Sequence, residues 1–305
     1  MNGSAATGRN NLIIAAILIV GLVVGLAIAG GDLSRLPLQD DSFYNFSIAR
    51  NLALGHGPTY DGVHETNGFH PIVVGTMSVL YRVFEGDTEK SVHVLLIMMV
   101  LVNLATVFIF MRMVSRLVAQ RAGLILGFLW IVSPYYWWMF LNGMDTGINI
   151  MLTIASLSVY LGRIREREKA SMGTFLALGM VLGFVVLSRM DGLLLVGVIG
   201  LDVLIRSWRR GGAAAVKRSV TGLAVLSVCV CVVVGPWVKF NIDLTGSPVQ
   251  ISGQAIRFLS VLKLPKDRAI EEEAFFDRES DLARINRERV DRFNQGRPLE
   301  PSFYV

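Results

Sequence analysis

The sequence predicts an all-α fold, a polytopic membrane helix bundle with about seven transmembrane helices. Of the 305 residues, 53% are hydrophobic and only 17% are charged, which is too apolar for an ordinary soluble domain of this length. Long apolar runs recur as far as residue 238, and basic residues gather in the segments between alternate runs. Together these observations indicate a chain that crosses a bilayer several times.

Each predicted span is an apolar run that can cross much of a hydrocarbon core about 30 Å thick. We interpret the first run as a membrane anchor and not as a signal peptide, because it is long and no small-residue cleavage site is clear before Asp32. The runs near 146–162 and on either side of Arg189 are short for a complete crossing. The seven predicted spans are residues 12–30, 92–111, 122–140, 146–162, 172–188, 190–205 and 219–238.

Basic clusters set the predicted orientation, because arginine and lysine are enriched in cytoplasmic loops. The clusters follow the second, fourth and sixth runs, so these loops and the amino terminus are expected in the cytoplasm. The other side then receives residues 31–91, the turns near 141–145 and 188–191, and the chain after 239. The basic residues in question are Arg112, Arg116, Arg121, Arg163, Arg165, Arg167, Lys169, Arg206, Arg209, Arg210, Lys217 and Arg218.

The first external loop, residues 31–91, is predicted to contain two juxtamembrane amphipathic helices. The apolar segment 71–84 is too short to span the membrane, and a crossing there would place every later basic cluster outside. Before it, Tyr44, Ile48 and Leu52 recur at helical spacing within 42–54, with Asp41 or Ser42 as the N-cap.

Acidic and polar residues gather on the predicted external side. Asp40 and Asp41 follow the first span, and because carboxylates are costly to desolvate, we expect them near water, where a base can meet a polar substrate. A solvated helix cap is the alternative interpretation of this pair. Ionisable groups at the ends of apolar runs usually face a protein cavity, although Arg189 and Asp191 could simply tie two helix ends together. The predicted substrate-binding residues are Asn67, His70, Asp145, Arg189, Asp191, Lys239 and Arg257.

Other kinds of site are less favoured. Cys229 and Cys231 lie two residues apart on one predicted span, so they point to different faces and form neither a disulfide nor a metal clamp. No residue is assigned as a metal ligand, although two or three carboxylates could hold a hard divalent cation. The net charge of +5 arises in the short loops and does not indicate nucleic-acid binding.

Four segments carry a family resemblance: DDSFYNFSIARNLALGHGPTYDGVHETNGFHP, GMDTG, RMDGLLL and PWVKFNIDLTGSP. They resemble bacterial membrane glycosyltransferases of the GT-C superfamily, which include protein mannosyltransferases, the aminoarabinose transferases of lipid A and mycobacterial arabinofuranosyltransferases. The resemblance implies a transmembrane module over residues 1–255. Residues 256–305 are then a charged extracytoplasmic tail or the start of a truncated C-terminal region.

The resemblance implies an inverting glycosyltransferase of the bacterial inner (plasma) membrane, with its active site on the extracytoplasmic side. The expected donor is a polyprenyl-phosphate sugar, the acceptor is a glycan, lipid or protein of the cell envelope, membrane lipids are partners, and no cofactor is required. In this superfamily an acid near the start of the first external loop is the base, and the resemblance assigns this role to Asp40, with Asp41 beside it. Asp145 matches an acid that contributes to the site or to metal binding in several members. A transporter or flippase of lipid-linked sugars and a noncatalytic scaffold of an envelope complex remain as alternatives.

Overall fold

The computed structural model describes residues 2–32, 35–165, 170–210 and 212–251. Within these ranges the regular structure is helical, apart from one isolated β-bridge between Thr59 and Glu65, so the all-α prediction is confirmed. The predicted tail from residue 256 lies outside the described residues. The helices are α1 (Asn2–Ala29), α2 (Asp40–Leu54), α3 (Pro71–Val83), α4 (Thr88–Leu117), α5 (Gln120–Val132), α6 (Pro134–Leu141), α7 (Thr146–Val159, continued by a π-helical turn Tyr160–Arg165), α8 (Met172–Ser188), α9 (Gly192–Arg210) and α10 (Ala213–Thr245).

Four helical segments of the described chain are long and apolar enough to cross a membrane: Gly8–Ala29, Thr88–Leu117, Thr146–Arg165 and Ala213–Thr245. The chain is therefore a multi-pass membrane protein. A fifth crossing is formed if the bent pair α5 and α6 is counted as one span. The predicted spans at 172–188 and 190–205 form α8 and α9, and the count of seven spans stays a prediction.

The run predicted as one span at 122–140 is two helices that meet at 68°. Ser133 between them is extended, with φ −84° and ψ 117°, and Pro134 begins the second helix. A proline disfavours helical geometry in the residue before it and has no N–H to donate, so the helix ends where the sequence places Pro134.

The loop helices predicted before α4 are present as α2 and α3, but the predicted N-cap is wrong. α2 begins at Asp40, its N-cap is Gln39, and no side chain caps it, so Asp40 and Asp41 occupy the first turn. Carboxylates are favoured there because the helix N-terminus carries partial positive charge. Ile48 is fully buried, while Tyr44 and Leu52 are partly buried. An interfacial position for α2 and α3 remains a proposal.

Two hydrophobic clusters hold the bundle together. In the first, α4 lies centrally and packs against α1, α3, α5, α6 and α7, with Leu96, Met77 and Phe140 fully buried. In the second, Leu182 of α8, Ile199 of α9 and Leu226 of α10 pack together beside the π-helical end of α7. α7 joins the two clusters, because Ile148 near its start belongs to the first and Tyr160 and Ile164 in its π-helical end belong to the second. α8 packs against α7.

Candidate active site

The turn between α6 and α7, residues 142–145, docks the start of α2. The backbone oxygen of Asn142 accepts a hydrogen bond of 3.1 Å from the amide of Gln39. Gly143 has φ 78°, and a β-carbon at this position would lie 2.7 Å from the β-carbon of Ser42. The side-chain amide of Asn45 contacts the sulfur of Met144 at 3.7 Å. The acidic first turn of α2 is therefore held against the turn that ends in Asp145.

Asp145 is fully buried at the N-terminal end of α7 and faces His70, the N-cap of α3. One carboxylate oxygen lies 3.5 Å from His70 Nδ1, which is close enough for an ion pair whenever the ring is protonated. Neither carboxylate oxygen has a hydrogen-bond partner in the described part of the chain. A buried, unsatisfied carboxylate is costly and is more typical of functional sites than of packing.

His70 also links this acid to the end of α8. Its Nδ1 lies 3.1 Å from the backbone oxygen of Ser188, and because a carbonyl can only accept, Nδ1–H is the donor. In the neutral ring, Nε2 is then left with a lone pair. The ring is about a quarter exposed, so His70 forms part of the wall between the buried carboxylate and the surface.

Arg189 and Asp191 lie directly after α8, and both act electrostatically on Asp145. Their side chains are 3.4 Å apart and substantially exposed. The weak pairing fits the interpretation that they tie helix ends together, but it leaves the guanidinium open to solvent beside His70 and Asp145. The structure thus brings His70, Asp145, Arg189 and Asp191 together at one end of the bundle.

Asp40 and Asp41 are both exposed at the start of α2, as the cost of desolvation predicts. The amide of Asp41 donates a 2.9 Å hydrogen bond to one carboxylate oxygen of Asp40, and the other oxygen has no hydrogen-bond partner within the described part of the chain. The backbone hydrogen bond from Gln39 to Asn142 connects this first turn of α2 to the turn that ends in Asp145. Their catalytic role stays a prediction.

Asn67 is fully buried and fastens the first external loop to the end of α10. Its side-chain nitrogen donates to Asn241 Oδ1 at 3.1 Å, and its oxygen accepts from the amide of Ile251 at 3.1 Å. Gln250 adds a 2.9 Å hydrogen bond to the backbone oxygen of Phe69. These bonds fix the chain immediately before His70, so Asn67 positions the site; the substrate-binding role predicted for it stays a prediction.

The other two cationic residues predicted to bind substrate, Lys239 and Arg257, do not join this group of residues in the described part of the chain. Lys239 lies on α10 with an exposed side chain, paired at 2.6 Å with Asp243 one turn further on. Arg257 lies outside the described residues. Among the residues that are described, no group of three His, Cys, Asp or Glu side chains could hold a metal ion. A divalent cation at this site therefore stays a prediction.

Sequence reasoning missed the parts of the site that act through backbone atoms. The carbonyl of Ser188 that orients His70 has no signal in the sequence. Gly143 could have been found, because an Asn-Gly pair between two helices is typical of a turn with positive φ.

Burial raises the pKa of the Asp145 carboxyl, and the charges of His70 and Arg189 oppose that rise. When an acid has a higher pKa in the native state than in the unfolded chain, stability falls as the pH rises between the two values. We expect Asp145→Asn to weaken this dependence, by about 1.4 kcal/mol for each tenfold difference in proton affinity. Thermal unfolding between acidic and neutral pH measures it. Asp243→Asn, which changes an exposed acid on α10, is the control that keeps the wild-type slope. An unchanged slope in Asp145→Asn would contradict burial as the cause.

A comparison with models of known protein families identifies the family of this chain. The family model described as dolichyl-phosphate-mannose-protein mannosyltransferase matches residues 70–237, more than half of the chain. The match begins at His70 and includes Asp145, Arg189 and Asp191, whereas Asp40 and Asp41 precede it. No curated protein matches the chain at a significant level. The match confirms the resemblance to the GT-C superfamily. The chain thus belongs to the dolichyl-phosphate-mannose-protein mannosyltransferase family, and is a membrane glycosyltransferase of GT-C type.

Proposed function

We propose that the chain transfers a sugar from a polyprenyl-phosphate donor to a cell-envelope acceptor, with inversion at the anomeric carbon. The observation that carries the proposal is the packing of the turn 142–145 between the acidic start of α2 and His70. This turn joins an exposed carboxylate that can act as a base to a half-exposed cationic and imidazole surface that can receive a phosphate. Both features lie at one end of the bundle.

Asp40 is the proposed general base. The pKa of an acceptor hydroxyl is far above neutral, so its proton must leave as the oxygen attacks the anomeric carbon. The new bond forms between the acceptor oxygen and that carbon, the bond from the carbon to the phosphate oxygen breaks, and its electron pair leaves with the polyprenyl phosphate. Asp40 takes the proton, and Asp41 beside it helps orient the acceptor. Attack from the face opposite the phosphate inverts the anomeric centre.

Arg189 and His70 are the proposed partners of the donor phosphate. A guanidinium offers paired donors that match phosphate oxygens, and its charge offsets the charge that develops on the leaving group. Arg189 is weakly held by Asp191, at 3.4 Å, so little is lost when it turns to a phosphate. Asp145 keeps His70 in place and limits the net positive charge near the phosphate. Lys239 and Arg257 are further candidates for the phosphate, and a divalent cation could assist.

The positive-inside pattern supports an extracytoplasmic position for this end of the bundle, and we propose a bacterial plasma membrane as its location. There the lipid-linked donor holds its phosphate at the interface while its prenyl chain stays in the bilayer. The family description names mannose, and the sequence resemblance also covers pentose and aminosugar donors. We therefore propose a polyprenyl-phosphate sugar as the class of donor, and an assay with several such donors identifies the sugar.

Breakage of the glycosyl bond is the decisive test. The full chain, reconstituted in liposomes, is supplied with radiolabelled polyprenyl-phosphate mannose and, in parallel, with the arabinofuranosyl and aminoarabinosyl analogues. We expect one labelled sugar to be released from the lipid or joined to an added envelope-glycan acceptor. Empty liposomes are the control. If every donor is recovered intact, the chain is not a transferase for these lipids. Recovery of intact donor in the opposite leaflet would identify a flippase.

A further inference from the structure

A small cavity of about 80 Å³ lies at the other end of the bundle from the candidate active site. It is formed where the π-helical end of α7 meets the start of α8, the end of α9 and the start of α10. The segment Thr146–Arg165 separates it from Asp145, and a helix of this length spans about 30 Å. The proposed transfer reaction does not use this cavity.

The mouth of the cavity is strongly basic, because Arg165, Arg206 and Arg218 all line it. Arg165 is exposed and has no ion-pair or hydrogen-bond partner among the residues the structure describes. Arg206 is held by Asp202 at 2.7 Å, and Arg218 donates to the backbone oxygen of Ala170 at 3.0 Å. Asp202, which also accepts a hydrogen bond from Tyr160, is the acid in contact with this group. Among the residues that the structure describes, three arginines and one acid therefore lie at this cavity.

Ser207 supplies a second observation that points to a ligand. It lines the cavity, it is 4% exposed, and its hydroxyl has no hydrogen-bond partner among the described residues. A serine within a helix can usually bond to the carbonyl one turn before it, so an unused buried hydroxyl calls for an explanation. A hydroxyl between arginines is a suitable donor to an anionic oxygen. The start of α10, which contributes Ala215 to the lining, adds the positive end of a helix dipole.

The surroundings favour a lipid as the source of that oxygen. The cavity floor is apolar, with Phe175 and Val203 buried in it. Just outside, α9 exposes Leu204, Ile205 and Trp208, and Trp208 is 84% exposed. A headgroup phosphate in the cavity would therefore have apolar surface beside it for the acyl chains, and tryptophan is enriched at the level of lipid headgroups. Basic pockets between membrane helices are a known form of headgroup site.

We propose that this cavity binds the phosphate group of an anionic phospholipid, held by Arg165, Arg206 and Arg218 and by the hydroxyl of Ser207. The bound lipid links the ends of α7, α8, α9 and α10, and so stabilises the second hydrophobic cluster. Residues 166–169 form no part of the proposed site. The proposal does not depend on the transfer reaction, and it does not depend on which side of the membrane this end faces.

The test measures lipid binding to the purified full chain in detergent. Dioleoyl phosphatidylglycerol is titrated in, with dioleoyl phosphatidylcholine and inorganic phosphate as separate arms, while native mass spectrometry counts bound lipid and thermal unfolding reports stabilisation. We expect phosphatidylglycerol to be retained and to raise Tm, and phosphatidylcholine to do neither. Arg165→Gln and Ser207→Ala should each weaken binding by about 10- to 100-fold, the usual effect of losing one hydrogen bond to a charged group.

Arg209→Gln is the matched control, because Arg209 is an exposed arginine on the same end of α9 that does not line the cavity. It should bind phosphatidylglycerol like the wild type. Ser207→Ala should leave the lipid-free Tm unchanged or higher, since it removes an unsatisfied buried hydroxyl, which separates lost binding from lost folding. Equal weakening by Arg209→Gln would overturn the proposal in favour of diffuse surface charge. Equal retention of phosphatidylcholine would overturn it as well. Saturable binding of inorganic phosphate without retention of lipid would show that the cavity binds free phosphate and not a lipid headgroup.

Discussion

Asp40→Asn is expected to lower the rate of sugar transfer by about 100- to 10,000-fold, the range that general-base catalysis usually contributes. Asparagine keeps the size of the side chain and can still accept the hydrogen bond from the Asp41 amide, but it cannot take up a proton. Donor binding should change little, since the proposed phosphate partners lie on other elements. The measurements are single-turnover release of label from the donor that the liposome panel identifies, and binding of that donor to the same variant.

Asp41→Asn is the matched control for Asp40→Asn. Both residues are exposed in the first turn of α2, so either change removes one negative charge near the helix N-terminus and should cost about 0.3–1 kcal/mol of stability. Only Asp40→Asn should slow the chemical step by the full factor expected for loss of a general base. Transfer at the wild-type rate by Asp40→Asn would remove Asp40 from the mechanism, and a large loss in Asp41→Asn alone would assign the base to its neighbour.

The sequence could predict which residue types meet near the membrane surface, because the physical constraints on them are local. Burying two adjacent carboxylates is costly, so Asp40 and Asp41 had to remain exposed. A single ionisable residue at the end of an apolar run usually faces a protein interior, which describes the buried Asp145. The break before α6 could also have been predicted, since Pro134 cannot continue a helix.

The sequence could not predict the contacts that join distant segments. Asn67 and Asn241 are 174 positions apart, and either amide had many alternative partners. The bond from His70 to the Ser188 carbonyl depends on where α8 ends, and backbone oxygens have no residue-specific signal. The N-cap predicted for α2 was wrong because the helix begins at Asp40, after Gln39, whose amide bonds to the backbone oxygen of Asn142. Local capping preferences do not include such a contact between distant segments. Tertiary contacts therefore decided the geometry of the site.

Gly143→Ala is expected to cause the second large loss of activity, although residue 143 carries no functional group. At φ 78° an L side chain is strained by about 1–2 kcal/mol. The added methyl group would also lie 2.7 Å from Ser42 Cβ, a distance that real contacts do not allow. The turn must then move away from α2 and take Asp145 with it, which separates Asp40 from the surface formed by His70 and Arg189. Displacements of about 1 Å can cost 100-fold in rate, which transfer assays on the folded variant measure.

Gly55→Ala separates the two causes of this loss. Gly55 ends α2 with φ 87°, but no atom lies within 4 Å of a β-carbon there. Backbone strain should therefore lower the Tm of Gly55→Ala, while its transfer rate stays at the wild-type value. Adding Ser42→Gly to Gly143→Ala removes the β-carbon that the new methyl group meets, so the double variant should regain part of the lost rate, an effect that independent sites would not show. If Gly143→Ala and Gly55→Ala behave alike, the contact between the turn and α2 does not organise the site, and the proposed cooperation of Asp40 with His70 and Arg189 would have to be abandoned.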